Sequence, residues 1–201
     1  MGRHQRTPAN KAQHDYGTVR IIAGQWRGRK LRFPATDGLR PTGDRLRETL
    51  FNWLAPHIEG ARCLDAFAGS GALGLEALSR GAAHCHFVDN QRAATDALRD
   101  NLSTLTCNNA KVVQASVLDW LARCDDSFDI IFVDPPFSSG LYEPILTALA
   151  ESATLRQNGL LYIESDRKNT LPTPPGFTVL KDKTAGNARY QLWQKHQHPQ
   201  P

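Results

Sequence analysis

The stretch Leu64-Asp65-Ala66-Phe67-Ala68-Gly69-Ser70-Gly71-Ala72-Leu73-Gly74 decides how this chain folds. It joins an apolar, strand-like run to a helix-like run, and its glycines Gly69, Gly71 and Gly74 have the spacing G-x-G-x-x-G. Glycines there let the backbone turn sharply and let a ligand approach without meeting side chains. Because the motif leaves a strand and opens a helix, it predicts a loop that binds a cofactor.

The segments after this loop alternate between two periodicities. The strand-like runs cover residues 62–67, 84–89, 110–114, 128–134 and 159–164. The helix-like runs cover residues 72–79, 90–105, 117–124 and 142–155. Such alternation favours a parallel sheet with helices on both faces. Near the end, residues 178–183 and 189–194 alternate apolar and polar side chains around Ala185-Gly186-Asn187, which indicates a hairpin. We therefore predict an α/β fold whose mostly parallel, seven-stranded sheet ends in an antiparallel hairpin.

Before the loop, the sequence predicts a small basic β-hairpin followed by a helix. Residues 19–23 and 30–33 are strand-like, and the glycines of Gly24-Gln25-Trp26-Arg27-Gly28 suit a turn between them. Residues 44–54 place large apolar side chains on one face of a helix. Asp44 is the expected N-cap of this helix, and Pro56 is expected to end it.

Two carboxylates accompany the glycine loop and indicate its ligand. Asp89 ends the second strand of the sheet, 15 residues after Gly74, where a carboxylate can accept the hydroxyl hydrogens of a ribose. This combination indicates an adenosine-containing cofactor, and both NAD and S-adenosylmethionine fit it. Asp65 lies at the approach to the loop, where its charge would repel a pyrophosphate but attract an ammonium or sulfonium group. The loop therefore favours S-adenosylmethionine.

The four residues Asp134-Pro135-Pro136-Phe137 follow a buried, strand-like run. Ligands of open parallel sheets bind at the carboxyl ends of the central strands, so this motif is expected beside the glycine loop. The Asp134 carboxylate and the proline carbonyls can accept both hydrogens of an exocyclic amine, which directs the nitrogen lone pair outward. Phe137 can stack on the ring that carries the amine. By itself, the motif therefore predicts methyl transfer to an amino group.

Positive charge is concentrated near the start of the chain. Residues 1–47 contain 11 Lys and Arg against three Asp, a net charge of +8, whereas the remainder has a net charge of −4. Arginines beside an aromatic ring can hold phosphates while the ring stacks on a base, and Trp26 stands among such arginines. A hairpin that uses Trp26 as its own core fits the pattern equally well. The residues expected to bind RNA are Arg20, Trp26, Arg27, Arg29, Lys30, Arg32, Arg40, Thr42 and Arg45.

The remaining composition argues against several classes of protein. The 201 residues suit one sizeable domain, and 40% of them are hydrophobic, an ordinary share for a globular protein. No apolar run approaches the roughly 20 residues of a membrane span, and no secretory signal is recognisable. The four cysteines form no C-x-x-C pair, and His84-Cys85-His86 has no second ligand cluster, so no disulfide framework or metal site is expected. We expect a cytoplasmic protein without membrane contact.

Taken together, these motifs resemble the class I S-adenosylmethionine-dependent amino-methyltransferases. Five stretches of the sequence are similar to one family within this class. They are residues 19–31, 38–42, 44–53, 64–80 and 132–137. They resemble the RsmD family, whose members methylate the exocyclic amine of one guanine in bacterial 16S ribosomal RNA. The resemblance covers residues 18–195. It implies a Rossmann-like class I methyltransferase fold, S-adenosylmethionine as cofactor, and 16S rRNA as partner, within the small ribosomal subunit or an assembly intermediate.

The resemblance also implies roles for single residues near the reaction. Asp134 and Pro135 would hold the guanine amine, and Phe137 would pack against the base. Arg40 and Thr42 would border the cofactor or the target base. The expected catalytic residues are therefore the four of the motif, Asp134, Pro135, Pro136 and Phe137.

A second set of residues is implied to bind the cofactor. These residues are Asp65, Phe67, Gly69, Ser70, Gly71, Gly74, Asp89, Asn90, Ser116 and Val117. One position departs from the family pattern, because Gln114-Ala115-Ser116-Val117 stands where an acidic residue or Asn commonly binds adenine. There we expect either the Ser116 hydroxyl or backbone groups to replace that contact.

The predicted organisation has four parts. Residues 1–17 and 196–201 are disordered tails, the first of them basic. Residues 18–56 form a basic hairpin and helix that bind RNA, and residues 57–195 form the methyltransferase domain. We expect the protein to be a monomer.

Other functions remain open at this point. A DNA methyltransferase acting on the amine of adenine or cytosine uses the same D-P-P-F chemistry, but 201 residues leave little room for a target-recognition region. A protein glutamine methyltransferase is disfavoured, because its motif typically starts with Asn and residues 1–47 are so basic. A non-catalytic RNA-binding module would not need Asp65, Asp89 and Asp134 all intact. Hydride transfer by an NAD enzyme has no use for the D-P-P-F motif.

Overall fold

The computed structural model describes residues 16–34, 43–137 and 139–196. Arg40 and Thr42, and most of the two predicted tails, lie outside the described residues. His196 was predicted to belong to the second tail, but its N–H donates to the Gly176 carbonyl at 2.7 Å. The tail prediction is wrong at this residue, because a backbone hydrogen bond holds it against the fold.

The N-terminal hairpin consists of β1 (Tyr16–Arg20) and β2 (Lys30–Pro34), which pair antiparallel. The sequence placed Tyr16 and Gly17 in the disordered tail, and this is also wrong. A Cβ on Gly17 would lie 2.2 Å from the Phe33 ring, so the ring covers the glycine closely. Packing of this kind extends the strand beyond the apolar residues that predicted it.

The central sheet has seven strands in the order β5-β4-β3-β6-β7-β9-β8. They are β3 (Arg62–Asp65), β4 (His84–Asp89), β5 (Ala110–Gln114), β6 (Phe128–Val133), β7 (Leu155–Asp166), β8 (Phe177–Ala185) and β9 (Ala188–Lys195). The first five strands in this order run parallel, β9 runs antiparallel to β7, and β8 runs antiparallel to β9. This confirms the predicted mostly parallel sheet with its terminal hairpin.

Helices cover both faces of the sheet. Those of the described residues are α1 (Asp44–Leu54), α2 (Ala72–Ser79), α3 (Arg92–Thr104), α4 (Val117–Leu121) and α5 (Tyr142–Glu151). α1, α2 and α3 share one apolar core with Phe132 of β6, whereas α4 and α5 share another with Val133. The hairpin adds Val19, Ile21 and Phe33 to the first core, so β1, β2 and α1 pack against the remainder of the fold.

Several boundaries differ from the sequence prediction by a few residues, and tertiary contacts explain two of these differences. Gly43, not Asp44, is the N-cap of α1, because the Asp44 carboxylate pairs with the guanidinium of Arg47 at 2.6 Å and of Arg20 at 3.3 Å. β7 begins at Leu155, which apolar periodicity had assigned to a helix. Leu155 pairs with Phe128, and the register then shifts so that Ile130 pairs with Leu160. The strand therefore includes residues 155–158, which lie before the apolar run that predicted it.

A buried ionic cluster joins the hairpin to α2. Glu76 of α2 is fully buried, and its carboxylate accepts the backbone N–H of Ile22 at 2.8 Å and of Ala23 at 3.0 Å. The Arg80 guanidinium donates to it at 2.7 Å, and that of Arg47, from α1, lies at 3.5 Å. A carboxylate is tolerated at such a depth only with donors of this kind. The cluster therefore fixes the hairpin and α1 against the helix that follows the glycine loop.

Substitution of Glu76 should test this cluster. Glu76→Ala removes the acceptor of two backbone N–H groups and one carboxylate partner of the buried Arg47, so we expect the free energy of unfolding to fall by about 3–5 kcal/mol. Glu48→Ala, at an exposed position of α1, is the matched control and should change it by less than about 0.5 kcal/mol. Urea denaturation followed by tryptophan fluorescence measures both. Similar losses in the two variants would show that the cluster does not hold the hairpin in place.

Candidate active site

The glycine loop connects the carboxyl end of β3 to the start of α2. Gly69 and Gly71 have φ angles of +47° and +76°, in the left-handed region that favours glycine. A Cβ on Gly71 would lie 2.3 Å from a methyl of Leu98, and a Cβ on Gly74 would lie 2.3 Å from the Phe87 ring. The loop therefore needs its glycines for its own conformation and packing.

Asp89 ties the end of β4 to this loop. One carboxylate oxygen accepts the Gly69 N–H at 2.8 Å, and the other accepts the Gln91 N–H at 2.8 Å. The residue is half-buried, and each oxygen keeps a second lone pair for another donor. The two hydroxyls of a ribose are donors that suit such a pair of oxygens.

Asp65 lies buried under the same loop. Its carboxylate accepts the Gly74 N–H at 2.9 Å. Burial raises the pKa of Asp65 to about 7, opposed by the hydrogen bond from Gly74 and assisted by the negative charge of Asp89. A cation held near the loop would favour the ionised form of this carboxyl.

The D-P-P-F motif lies at the same edge of the sheet. Asp134 follows β6, which pairs with β3 on one side and β7 on the other. Asp134 is half-buried, Pro135 is buried, and Pro136 and Phe137 are exposed. The structure thus brings the motif and the glycine loop together, while the roles of these residues stay predictions.

The two proline carbonyls are not equivalent. The Pro136 carbonyl accepts the Ser139 N–H at 2.9 Å and so belongs to a local turn. The Tyr142 hydroxyl lies 3.4 Å from the Pro135 carbonyl and 2.9 Å from the Glu164 carbonyl. Since a hydroxyl donates only one hydrogen, the shorter contact takes it and the Pro135 carbonyl keeps acceptor capacity. Of the two prolines, Pro135 is therefore the better candidate to receive a ligand hydrogen.

Glu164 and Tyr162 of β7 were not among the site residues predicted from the sequence. Both residues are buried, and the Tyr162 hydroxyl donates to a Glu164 carboxylate oxygen at 3.1 Å. Burial raises the pKa of Glu164, and the hydrogen bond from Tyr162 opposes that rise. The signal that could have found it is an acidic residue near the end of an apolar strand. The neighbouring strand, β6, is followed in the same way by Asp134.

Four carboxylates thus stand in a row. Asp89, Asp65, Asp134 and Glu164 lie at or near the carboxyl ends of β4, β3, β6 and β7, which are adjacent and parallel. Adjacent negative charges repel one another unless hydrogen-bond donors or cations compensate them. The row is therefore suited to a ligand that brings a positive charge at one end and amine or amide hydrogens at the other.

The other residues predicted to contact the cofactor are placed differently. Ser70 is buried, and Phe67 is half-buried against the core that contains α4 and α5. Asn90 is exposed beside Asp89, and Ser116 is exposed at the N-cap of α4. The side chain of Val117 lies in the apolar core, which leaves only its backbone for a ligand.

The turn of the basic hairpin does not lie at this edge. The backbone N–H of Trp26 donates to the Ser79 hydroxyl at 3.0 Å, and the Arg29 guanidinium lies 3.4 Å from the Thr104 carbonyl. Ser79 and Thr104 end helices that begin at the edge with the carboxylates, so the turn lies at the opposite edge. Trp26 packs partly buried against the core, which favours its structural interpretation. The exposed basic residues of this region are Arg20, Arg27, Arg29, Lys30, Arg32 and Arg45.

Residues 16–34, 43–137 and 139–196 contain neither a candidate metal site nor a helix that could span a membrane. No group of three or more His, Cys, Asp or Glu side chains in these ranges could hold a metal ion. None of their helices is both long and apolar enough to cross a membrane.

The sheet order and the glycine loop are those of the class I methyltransferase fold, and solved structures agree. A putative methyltransferase from Escherichia coli, yhhF, superposes with a TM-score of 0.83 at 48% identity, covering 90% of this chain and 100% of that chain. A putative methylase from Haemophilus influenzae superposes with a TM-score of 0.79 at 44% identity, covering 90% and 100%.

The chain belongs to the family described as Conserved hypothetical protein 95, whose model matches residues 19–194. The Ribosomal RNA small subunit methyltransferase D of Escherichia coli K12 is 51% identical over 180 residues, which are 89% of this chain and 91% of that protein. The protein of the same name from Haemophilus influenzae is 48% identical over 182 residues, 89% and 94% of the two chains. These findings confirm the resemblance to the RsmD family.

The buried carboxyl of Asp65 leads to a prediction about stability. Its folded-state pKa, about 7, lies above the ordinary value of 3.8, so this group costs the fold stability as the pH rises from about 4 to about 7. Asp65→Asn keeps an acceptor for the Gly74 N–H but carries no charge. We therefore expect the variant to exceed the wild type in Tm at pH 8, by roughly 2–4 °C for each kcal/mol gained, and to lose this advantage near pH 4.

Asp100→Asn is the matched control, because it removes an exposed carboxylate from α3. The difference in Tm between Asp100→Asn and the wild type should not increase between pH 4 and pH 8. Scanning calorimetry at several pH values measures all three proteins. A lower Tm for Asp65→Asn than for the wild type at pH 8 would contradict the assignment of a costly buried charge.

Proposed function

We propose that this protein transfers a methyl group from S-adenosylmethionine to the exocyclic amine, N2, of one guanine in the 16S rRNA of the small ribosomal subunit. The observation that carries the proposal is the position of Asp134 and Pro135 at the sheet edge, beside the glycine loop and Asp89. The names of the relatives support rRNA of the small subunit as the substrate. We further propose that the protein acts as a monomer in the cytoplasm, on the subunit or on an assembly intermediate.

The residues around the glycine loop fit S-adenosylmethionine. The carboxylate of Asp89 has acceptor capacity for the two ribose hydroxyls. The carboxyl of Asp65 would be favoured in its charged form by a cationic ligand. S-adenosylmethionine supplies a methyl group bonded to a positively charged sulfur, together with an ammonium group. The backbone at Gly69 and Gly71 would lie against this cofactor, with Asn90 and Ser116 toward its adenine.

Residues at the end of β6 would hold the base. The Asp134 carboxylate accepts one hydrogen of the amine, and the Pro135 carbonyl accepts the other. Both contacts direct the nitrogen lone pair away from the ring, and positioning of this kind is the main catalytic contribution that the site offers. The nitrogen loses one proton on methylation, for which the Asp134 carboxylate is one candidate acceptor and a water the other. Phe137, exposed at the edge, stacks on the base, as aromatic side chains do on extruded bases.

Product analysis tests the proposed function. The protein is incubated with methyl-labelled S-adenosylmethionine and, separately, with naked 16S rRNA, assembled small subunits, DNA and protein, and the products are digested to nucleosides. We expect label in N2-methylguanosine from 16S rRNA, either naked or assembled. Label found only in DNA would favour an adenine or cytosine amino-methyltransferase, and label found only in protein would also contradict the proposal. RNA binding without any transfer would indicate a non-catalytic module.

Asp134→Ala provides a control in the same assay. We expect its rate of methyl transfer to fall by at least about 100-fold, because the carboxylate that positions the amine is lost. Its affinity for S-adenosylhomocysteine, measured by calorimetry, should change little. A collapse of this affinity together with the rate would show that Asp134 belongs to the cofactor site instead.

Charge reversal in the basic hairpin tests how RNA is held. Arg27→Glu with Arg29→Glu should weaken RNA binding and reduce the slope of log affinity against log salt by about two, because each lost phosphate contact removes roughly one from it. Lys111→Glu with Arg123→Glu makes the same change of charge at exposed positions elsewhere and serves as the control. Filter binding at several salt concentrations measures both. Equal slopes for the two double variants would show that the hairpin does not contact phosphates.

A further inference from the structure

Glu164 and Asp134 lie near each other at one edge of the sheet. Tyr162 of β7 packs against Phe132 of β6, with ring centroids 6.3 Å apart, in the core shared with α1, α2 and α3. Alternate residues of a strand share a face, so Glu164 lies on the same side as Tyr162, and Asp134, the first residue after β6, lies close enough for its charge to raise the pKa of Tyr162. Both acidic residues come directly after the paired residues Val133 and Ile163. Adjacent strands are separated by only about 4.8 Å, so the two side chains are neighbours.

Tyrosine hydroxyls on both sides of the sheet connect the same two strand ends. The Tyr142 hydroxyl, from α5, lies 3.4 Å from the Pro135 carbonyl and 2.9 Å from the Glu164 carbonyl. The Tyr162 hydroxyl donates to the Glu164 carboxylate at 3.1 Å. After burial, the charges of Glu164 and then Asp134 raise the pKa of Tyr162, because both carboxylates lie near its hydroxyl. Glu164 is therefore held beside Asp134, whose carboxylate accepts a hydrogen of the amine in the proposed function.

The carboxylate of Glu164 has acceptor capacity that the protein does not use. Tyr162 donates to Oε2, whereas Oε1 accepts no hydrogen bond from any residue in the described parts of the chain. The residue is only 8% exposed. Oε1 is not one of the fully buried side-chain atoms without a partner, so this oxygen is reached from outside the core and can accept a hydrogen from a ligand.

We propose that Glu164 selects guanine by accepting the hydrogen on its ring nitrogen N1, while Asp134 accepts a hydrogen of the adjacent N2 amine. The proposal rests on the proposed function and names how that site identifies its base. In guanine, N1–H and N2 are neighbouring donors on the Watson–Crick edge, which enzymes read when a base is extruded. Two carboxylates on neighbouring strands match these two donors. Tyr162 is then a positioning residue that orients Glu164.

The same arrangement disfavours the other bases that carry an exocyclic amine. In adenine and cytosine, the ring nitrogen next to the amine is an acceptor with a lone pair. A carboxylate facing that lone pair gains no hydrogen bond and is repelled by it. Discrimination against a wrong partner often depends on such a repulsive element as much as on the attractive one. Glu164 would therefore separate guanine from bases whose amines Asp134 and Pro135 would otherwise accept.

Substitution of the substrate base tests the proposal. Small subunits are reconstituted from rRNA ligated from two pieces, with either guanine or 2-aminopurine at the position that the wild-type enzyme methylates. The 2-aminopurine ring has the same amine, but its N1 is an acceptor. We expect the wild type to prefer guanine in kcat/KM by about 10- to 100-fold, the usual effect of one hydrogen bond to a charged group.

Glu164→Gln should reduce this preference by about tenfold or more, because its amide can donate to N1 of 2-aminopurine. Differences in the intrinsic reactivity of the two amines cancel when the two enzymes are compared. A merely structural role would lower kcat/KM for both substrates equally and would leave the preference unchanged, which would overturn the proposal. Failure of the wild type to methylate guanine at all would overturn the proposed function, and this proposal with it.

Discussion

The row of carboxylates along the edge of four adjacent parallel strands is the constraint on which the site depends. These carboxylates are close together because the strands are parallel, so that the carboxyl ends of β4, β3, β6 and β7 lie at one edge of the sheet. The protein compensates part of this charge with its own donors, which are the N–H groups of Gly69, Gln91 and Gly74 and the hydroxyl of Tyr162. A cationic cofactor at one end of the row and a hydrogen-donating base at the other would compensate the remainder. The site is thus built at a cost in stability that its ligands would offset.

The N-terminal hairpin contributes to this arrangement from a distance. Glu76 fixes it to α2, so the hairpin is rigidly placed relative to the glycine loop at the other end of that helix. Its turn, with Arg27 and Arg29, lies at the edge opposite the carboxylates, and the 13 residues of α3 separate the two edges by about 20 Å. Under the proposed function, RNA that is bound both by the hairpin turn and at the edge with the carboxylates would cross the face that carries α1, α2 and α3. The hairpin would hold phosphates well away from the target base, and Trp26 would serve the core of the fold.

Much of the fold could be predicted because its signals are local. Apolar runs, glycine spacing and turn residues indicated the order of strands and helices and the terminal hairpin. Glu164 could not be predicted because its proposed role depends on register, since only the pairing of β6 with β7 places it beside Asp134. The predicted start of β7 was wrong for a similar reason. The strand begins at Leu155, and its shifted register gives its first residues no regular apolar period. The position of the Trp26 turn also depends on tertiary contacts, with Ser79 and Thr104, that no local pattern contains.

A crystal structure with bound S-adenosylhomocysteine tests most directly the claim that the row of carboxylates is divided between cofactor and base. We predict that the ribose hydroxyls bind the carboxylate of Asp89 and that the methionine end lies against the loop above Asp65. The carboxylates of Asp134 and Glu164 should remain accessible for a base. A ligand that covers Asp134 and Glu164, or that binds away from Asp89, would contradict this division.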